Sequence, residues 1–245
     1  MKKHFIFIFF LTNVVFAQKY NRATYDIKID KTKLSKFMLE RKLDIDVQQL
    51  TLYMVDGANR SSLLLYFNKE SSLCQVEEEL SLGNNIPVAK GVLTFLNVAD
   101  DIYYNSKVNT YYEKRGSDDY THLAKLDAMK IDWKLAEETK NVKGYNYRKA
   151  TATFLKNEIE YQVQAWFCPN IPVQLGPSFF NGLPGLISEV YVTSDESEFN
   201  YNYILRKLDN DRKIGDINPP IVKYNILTEE ESEELFSKVN EGFNN

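Results

Sequence analysis

Few side chains in this chain are placed to do chemistry. There are two histidines; His4 falls in an N-terminal leader, so His122 alone remains for the mature protein. It sits in RGSDDYTHL beside Asp118 and Asp119, a stretch that reads as a solvated turn. Zinc wants three or four converging ligands, and a lone histidine does not supply them. A serine hydrolase would need His122 as its base, yet no Gly-x-Ser-x-Gly elbow surrounds any serine. Cys168, in WFCPN, follows an aromatic run and precedes a proline. A thiolate nucleophile needs an electropositive setting and a partner base, so a packed or bridged thiol is the better reading. Glu77-Glu78-Glu79 and Glu229-Glu230-Glu231 are charge runs on solvated faces. A glycosidase pair is defined by separation in space, which leaves a carboxylate hydrolase as an alternative without a motif. The residues nominate no catalytic group, no metal and no cofactor.

Residues 176 to 190, GPSFFNGLPGLISEV, invite a test as a phosphate loop. Such loops end in Gly-Lys-Ser/Thr, where lysine and hydroxyl meet phosphate and magnesium. Here Leu186 and Ile187 follow Gly185, and the closely spaced first glycine of a dinucleotide fingerprint is missing too. What remains is a turn. Leu183-Pro184-Gly185-Leu186 fits type II, with Pro184 fixing φ and Gly185 supplying a positive φ, and Gly182 belongs to the same turn. Phe179, Phe180 and Leu183 stand just ahead of it, and Trp166 lies on the strand before. These four are the candidates for contact with an apolar ligand. The other reading of the loop aromatics is a set of core plugs closing one end of a sheet.

The surrounding pattern is of period two. Ala23, Tyr25, Ile27 and Ile29 alternate with polar residues, as do Tyr161, Val163, Ala165 and Phe167, and then Tyr201, Tyr203 and Leu205. Antiparallel strands with one buried face read this way. Strands are expected at 23–30, 61–68, 73–79, 101–105, 108–113, 128–136, 143–154, 158–167, 186–193 and 198–206. Hairpins should turn at 155–157 and at 194–197. Leu34, Phe37, Met38 and Arg41 predict a helix over 32–42. A second helix, near 228–241, opens on a Thr228/Glu231 capping box with Leu235, Phe236 and Val239 on one stripe. The expected fold is mainly β (α+β): a curved antiparallel sheet or half-barrel with one or two short helices. Residues 18–245 read as a single domain.

The first residues, MKKHFIFIFFLTNVVFAQ, place two lysines before a short apolar run and a small residue before Gln18. This is the layout of a signal peptide over 1–17, too short to span a bilayer comfortably. No later run is long enough to be a transmembrane segment, so the mature chain is expected to be exported, to the periplasm or cell surface. The net charge of −4 grows more negative once Lys2 and Lys3 leave, which argues against a nucleic-acid partner. Cys74 and Cys168 are a candidate disulfide in an oxidising compartment, or two independent buried thiols; spacing leaves both open.

The hexapeptide GLPGLI at 182–187, preceded by AWFCPNIPVQLGPSFFN, resembles the GLPGLI family of exported Bacteroidetes-type proteins. IDWKL at 131–135 and KGYNYRKATATF at 143–154 are similar to its tryptophan and Gly-Tyr strands. Tyr147 departs from the resemblance, which implies a cysteine there and would leave Cys168 without that mate. The resemblance implies no activity or cofactor. Its implied shape is similar to the curved sheet of periplasmic lipoprotein carriers, a fold analogy only. The expected role is therefore non-enzymatic, binding an apolar or amphipathic ligand or peptide on the sheet. Docking to a cell-envelope protein, such as an outer-membrane receptor or secretion complex, is the alternative.

Overall fold

A computed structural model describes residues 21–77, 86–156, 158–210 and 216–243. The expected leader lies outside these residues, as do Glu78 and Glu79. The chain runs β1 (Arg22–Ile29), α1 (Lys31–Glu40), α2 (Ile45–Arg60), β2 (Ser62–Phe67), β3 (Ser71–Glu77) and α3 (Ile86–Phe95). It continues with β4 (Ile102–Asn105), β5 (Thr110–Arg115), β6 (His122–Asp127), β7 (Lys134–Val142), β8 (Tyr145–Lys156) and β9 (Ile159–Cys168). β10 (Leu186–Thr193), β11 (Tyr201–Asp209), β12 (Ile226–Thr228) and α4 (Glu229–Phe243) complete it.

The strands form one open sheet in the order β12-β6-β5-β4-β3-β2-β1-β11-β10-β9-β8-β7. Two meanders, β1 to β6 and β7 to β11, are joined where β1 pairs antiparallel with β11. The sheet is mixed only at one edge, where β12 runs parallel to β6. The period-two expectation matches the burial: Ala23, Tyr25, Ile27 and Ile29 are buried, as are Tyr161, Val163, Ala165 and Phe167. Both expected hairpins pair, β8 with β9 and β10 with β11. The first turns one residue later than expected, since Lys156 pairs with Ile159.

Chain reach shows that the sheet curls. β6 and β7 lie ten places apart in the order, which in a flat sheet would be about 48 Å. Seven Cα steps join Asp127 to Lys134, and they span at most about 25 Å. The two must therefore approach each other across the inner face. Helices α1 to α3 pack on the same core: Tyr203 donates its hydroxyl to the carbonyl of Leu96, just past α3, at 3.2 Å, and Val55 and Ala58 of α2 are fully buried.

Four helices stand where one or two were expected. The unforeseen pair is α2 and α3, whose β-branched residues and glycines mask the helical period. Tertiary contact overrides that signal. A Cβ at Gly57 would lie 3.1 Å from Ala89 Cβ, and one at Gly91 would lie 2.8 Å from Met54 Cε, so the glycines let the two helices close on each other. β6 and β12 were also unforeseen, and the strand expected at 128–136 begins at Lys134.

Candidate functional site

The loop between β9 and β10 turns inward and fills the curl. Phe180 is 4 % exposed and Leu183 is 1 % exposed. Phe180 meets Phe154 of β8 at a centroid distance of 6.3 Å and Tyr203 of β11 at 6.5 Å. Its half-buried neighbour Phe179 stands edge-on to Tyr111 of β5 at 4.9 Å. Side chains from strands eight places apart thus converge on two adjacent loop residues. Trp133, in the β6–β7 crossing, donates its indole N–H to the carbonyl of Asn181 at 2.8 Å, and Asn181 bonds the Tyr111 hydroxyl. The loop is a plug, and the crossing closes over it.

The type II turn expected at Leu183-Pro184-Gly185-Leu186 does not form. Leu186 N–H donates to Ile171 O at 2.9 Å rather than to Leu183, and Gly185 N–H reaches Leu183 O at 2.8 Å. Positive φ is present at both glycines, +87° at Gly182 and +152° at Gly185. At Gly185 a Cβ would stand 2.3 Å from the carbonyl oxygen of Cys168, so no other residue fits there. Pro184 is the exposed tip between the two glycines.

Trp166 is not brought to this group. Alternation along β9 puts Tyr161, Val163, Ala165 and Phe167 in the core and turns Trp166 to the outer face. There the Lys140 ammonium sits 4.3 Å from its ring centroid and bonds both carboxylate oxygens of Glu189 at 2.7 Å. Cys74 and Cys168 are unbridged and buried. Four strands separate β3 from β9 in the sheet, which keeps the pair apart. Burial pushes the Cys74 thiol up to about 12 and also raises that of Cys168, the opposite of an activated nucleophile.

His122, expected in a solvated turn, is instead the buried first residue of β6. Its Nδ1 lies 2.9 Å from the carbonyl oxygen of Tyr120, and its Nε2 lies 2.7 Å from Ser232 Oγ on α4. A carbonyl only accepts, so Nδ1 carries a proton and donates it to Tyr120. Arg115 NH1 donates to Ser232 Oγ at 3.3 Å while its Nε holds Glu113 at 2.7 Å. The cluster borders a cleft of about 400 Å³ lined also by Asp119, Glu231, Glu234, Leu235 and Lys238. Ser232 resembles an activated serine, but it is 2 % exposed and already bonded on both sides, so it holds α4 down rather than facing a substrate. Sequence reading missed Ser232, Arg115 and Glu113. The usable signal was Ser232, Leu235 and Val239 at helical spacing; these turn inward while Phe236 is exposed. The capping box forms as expected, with Thr228 N–H to Glu231 at 2.8 Å and Glu231 N–H to Thr228 Oγ1 at 3.2 Å. Among the described residues no group of three or more His, Cys, Asp or Glu side chains is placed to hold a metal.

The plug lies inside the one stretch that a family model matches. Residues 153–189 match a family described as "Protein of unknown function (Porph_ging)", rather than one bearing the GLPGLI name. The chain matches no curated protein. Two solved structures of PNGF-II, in space groups C2 and P21, are similar in fold, with TM-scores of 0.55 and 0.52 at 13% and 15% identity. The likeness covers 89% and 88% of this chain but only 33% of each PNGF-II chain, so this chain spans about a third of the length of the structures it matches.

Proposed function

We propose that the chain is an exported, non-enzymatic docking module of the cell envelope, which engages an apolar or amphipathic protein surface through α1 and α2. The observation that carries this is an apolar strip beside a filled sheet interior. Leu39 is 66% exposed and Ile45 61%, and Leu43, Val47, Leu50 and Tyr53 are exposed with them. On α2, Ile45, Leu50 and Tyr53 fall on the side opposite the buried Val55 and Ala58. Contiguous exposed apolar patches larger than roughly a few hundred Å² mark interaction sites. Binding at Phe180 and Leu183 would first require the plug to leave the core, which disfavours the carrier reading.

Other features agree. The leader pattern and the family match favour export, and no described helix is long and apolar enough to cross a membrane. The test places a photo-crosslinking residue at Leu50 in living cells, with the isolated, exposed Leu155 as control. A discrete protein adduct from position 50 alone is expected. Equal labelling at both positions, or lipid adducts only, would overturn the docking reading, and lipid adducts would restore the carrier.

A further inference from the structure

Two separate surfaces of this molecule are complementary in their chemistry. The first is the apolar strip of α1 and α2, and it is basic along α1. Residues 31–42 hold Lys31, Lys33, Lys36, Arg41 and Lys42 against Glu40 alone. Lys36 and Lys42 stand three residues before and after the exposed Leu39. The acids near the strip are engaged locally: Glu40 lies 3.8 Å from Lys36, Asp56 lies 2.8 Å from Lys31, and Asp44 accepts the Asp46 N–H at 2.8 Å. Asp46 itself sits in the first turn of α2, where the helix dipole favours an acid. The second surface is α4. Residues 229–239 hold Glu229, Glu230, Glu231, Glu233 and Glu234 against Lys238 alone. Ser232, Leu235 and Val239 turn toward the sheet, while Glu229, Glu233 and Phe236 recur at i, i+4 and i+7 on a flank that faces water. Phe236 there is 68% exposed. Among the described residues, Glu229, Glu230 and Glu233 enter no ion pair, and neither do Arg41 and Lys42.

We propose that the strip binds α4 of a second copy of this chain, with Phe236 set among Leu39, Leu43 and Leu50 and the free glutamates beside Arg41 and Lys42. The inference rests on the docking reading of the strip and names its occupant. A single exposed aromatic ringed by charge has the composition of an interface anchor. Opposite net charges on the two faces steer them together and fix which way round they meet. α4 does not serve the strip of its own copy. It packs on β12 and β6, whereas α1 and α2 pack on each other, on β1 and on α3, and β12 stands six places from β1 in the sheet. Two different patches that meet make a head-to-tail contact, so each copy keeps one patch open and further copies add in a row. One helix flank on one strip falls short of the roughly 800 Å² per partner of a standard stable interface. The association is accordingly weak, with a dissociation constant of about 0.1 mM.

Sedimentation velocity of the exported chain tests this, over concentrations about tenfold either side of that constant. The wild-type chain should pass from monomer to dimer and larger species, and about 0.5 M salt should weaken the association about threefold or more. Leu50→Lys and Phe236→Lys, both at exposed positions, should each leave the protein monomeric. An equimolar mixture of the two restores one intact pairing, the strip of the Phe236→Lys copy on α4 of the Leu50→Lys copy, and should stop at a dimer. A wild-type chain that is monomeric throughout would overturn the proposal. So would a Phe236→Lys variant that still dimerises, or a mixture that stays monomeric. The Leu50 crosslink separates this inference from the reading beneath it. An adduct of twice the chain mass supports both, an adduct with a different protein alone overturns self-association and keeps docking, and lipid adducts alone overturn both.

Discussion

At the scale of single residues, the sharpest constraint is at Gly185. Its φ is +152°, and a Cβ placed on it would come within 2.3 Å of the Cys168 carbonyl oxygen, which leaves no room for a side chain. Gly185→Ala should therefore destabilise the fold by at least about 2 kcal/mol, read from the urea midpoint. That a glycine was needed was legible in the sequence; the reason was not. The type II expectation rested on four consecutive residues, whereas the backbone there is set by Ile171, whose carbonyl takes the Leu186 N–H. His122 teaches the same lesson. Its neighbours Gly116, Asp118 and Asp119 are turn formers, but its burial comes from Ser232, 110 positions later.

Elements were most legible where the cause is local. The alternation in β1 and β9 predicted their buried faces, and the Thr228/Glu231 capping box predicted the start of α4. The end of α1 is equally local but escaped notice. Lys42 takes a φ of 52°, with its N–H on Leu39 O at 3.1 Å and the Leu43 N–H on Met38 O at 3.1 Å. This left-handed ending suits glycine, and a lysine there bears a Cβ penalty. Lys42→Gly should raise stability by about 0.5–1 kcal/mol in urea unfolding, and leave the far-ultraviolet dichroism unchanged. The helices α2 and α3 were hidden because Gly57 and Gly91 weaken the helical signal in sequence while serving the helix contact in space.

For the whole molecule, the inner face is unusually rich in buried phenols. Burial pushes the hydroxyls of Tyr25, Tyr111, Tyr201 and Tyr203 well above their ordinary 10.0, and the Cys74 thiol from 9.0 to about 12. In every case the unfolded chain gives up its proton first. The stability these groups carry is whole below pH 9.0, the ordinary thiol value, and is lost as pH climbs towards 12 and beyond. Alkaline titration should show Tyr224, whose hydroxyl the hydrogen bond from Lys223 holds below its ordinary range, ionising with the fold intact. The buried set should then ionise in one cooperative step, together with loss of circular dichroism.

The seam between the two meanders has a consequence for how the chain is made. β1 leads the described chain yet lies mid-sheet, beside β2 on one flank and β11 on the other. Arg22 is held by Asp209 across that seam at 2.9 Å. A chain emerging amino end first can fold β1 to β6 into a meander, but the strand's second flank stays bare until β11 appears. Until then the first half holds an open edge of unpaired N–H and C=O groups. Such a chain remains pliable through most of its synthesis and sets only near its end, which suits a polypeptide that is threaded through a narrow passage before it folds.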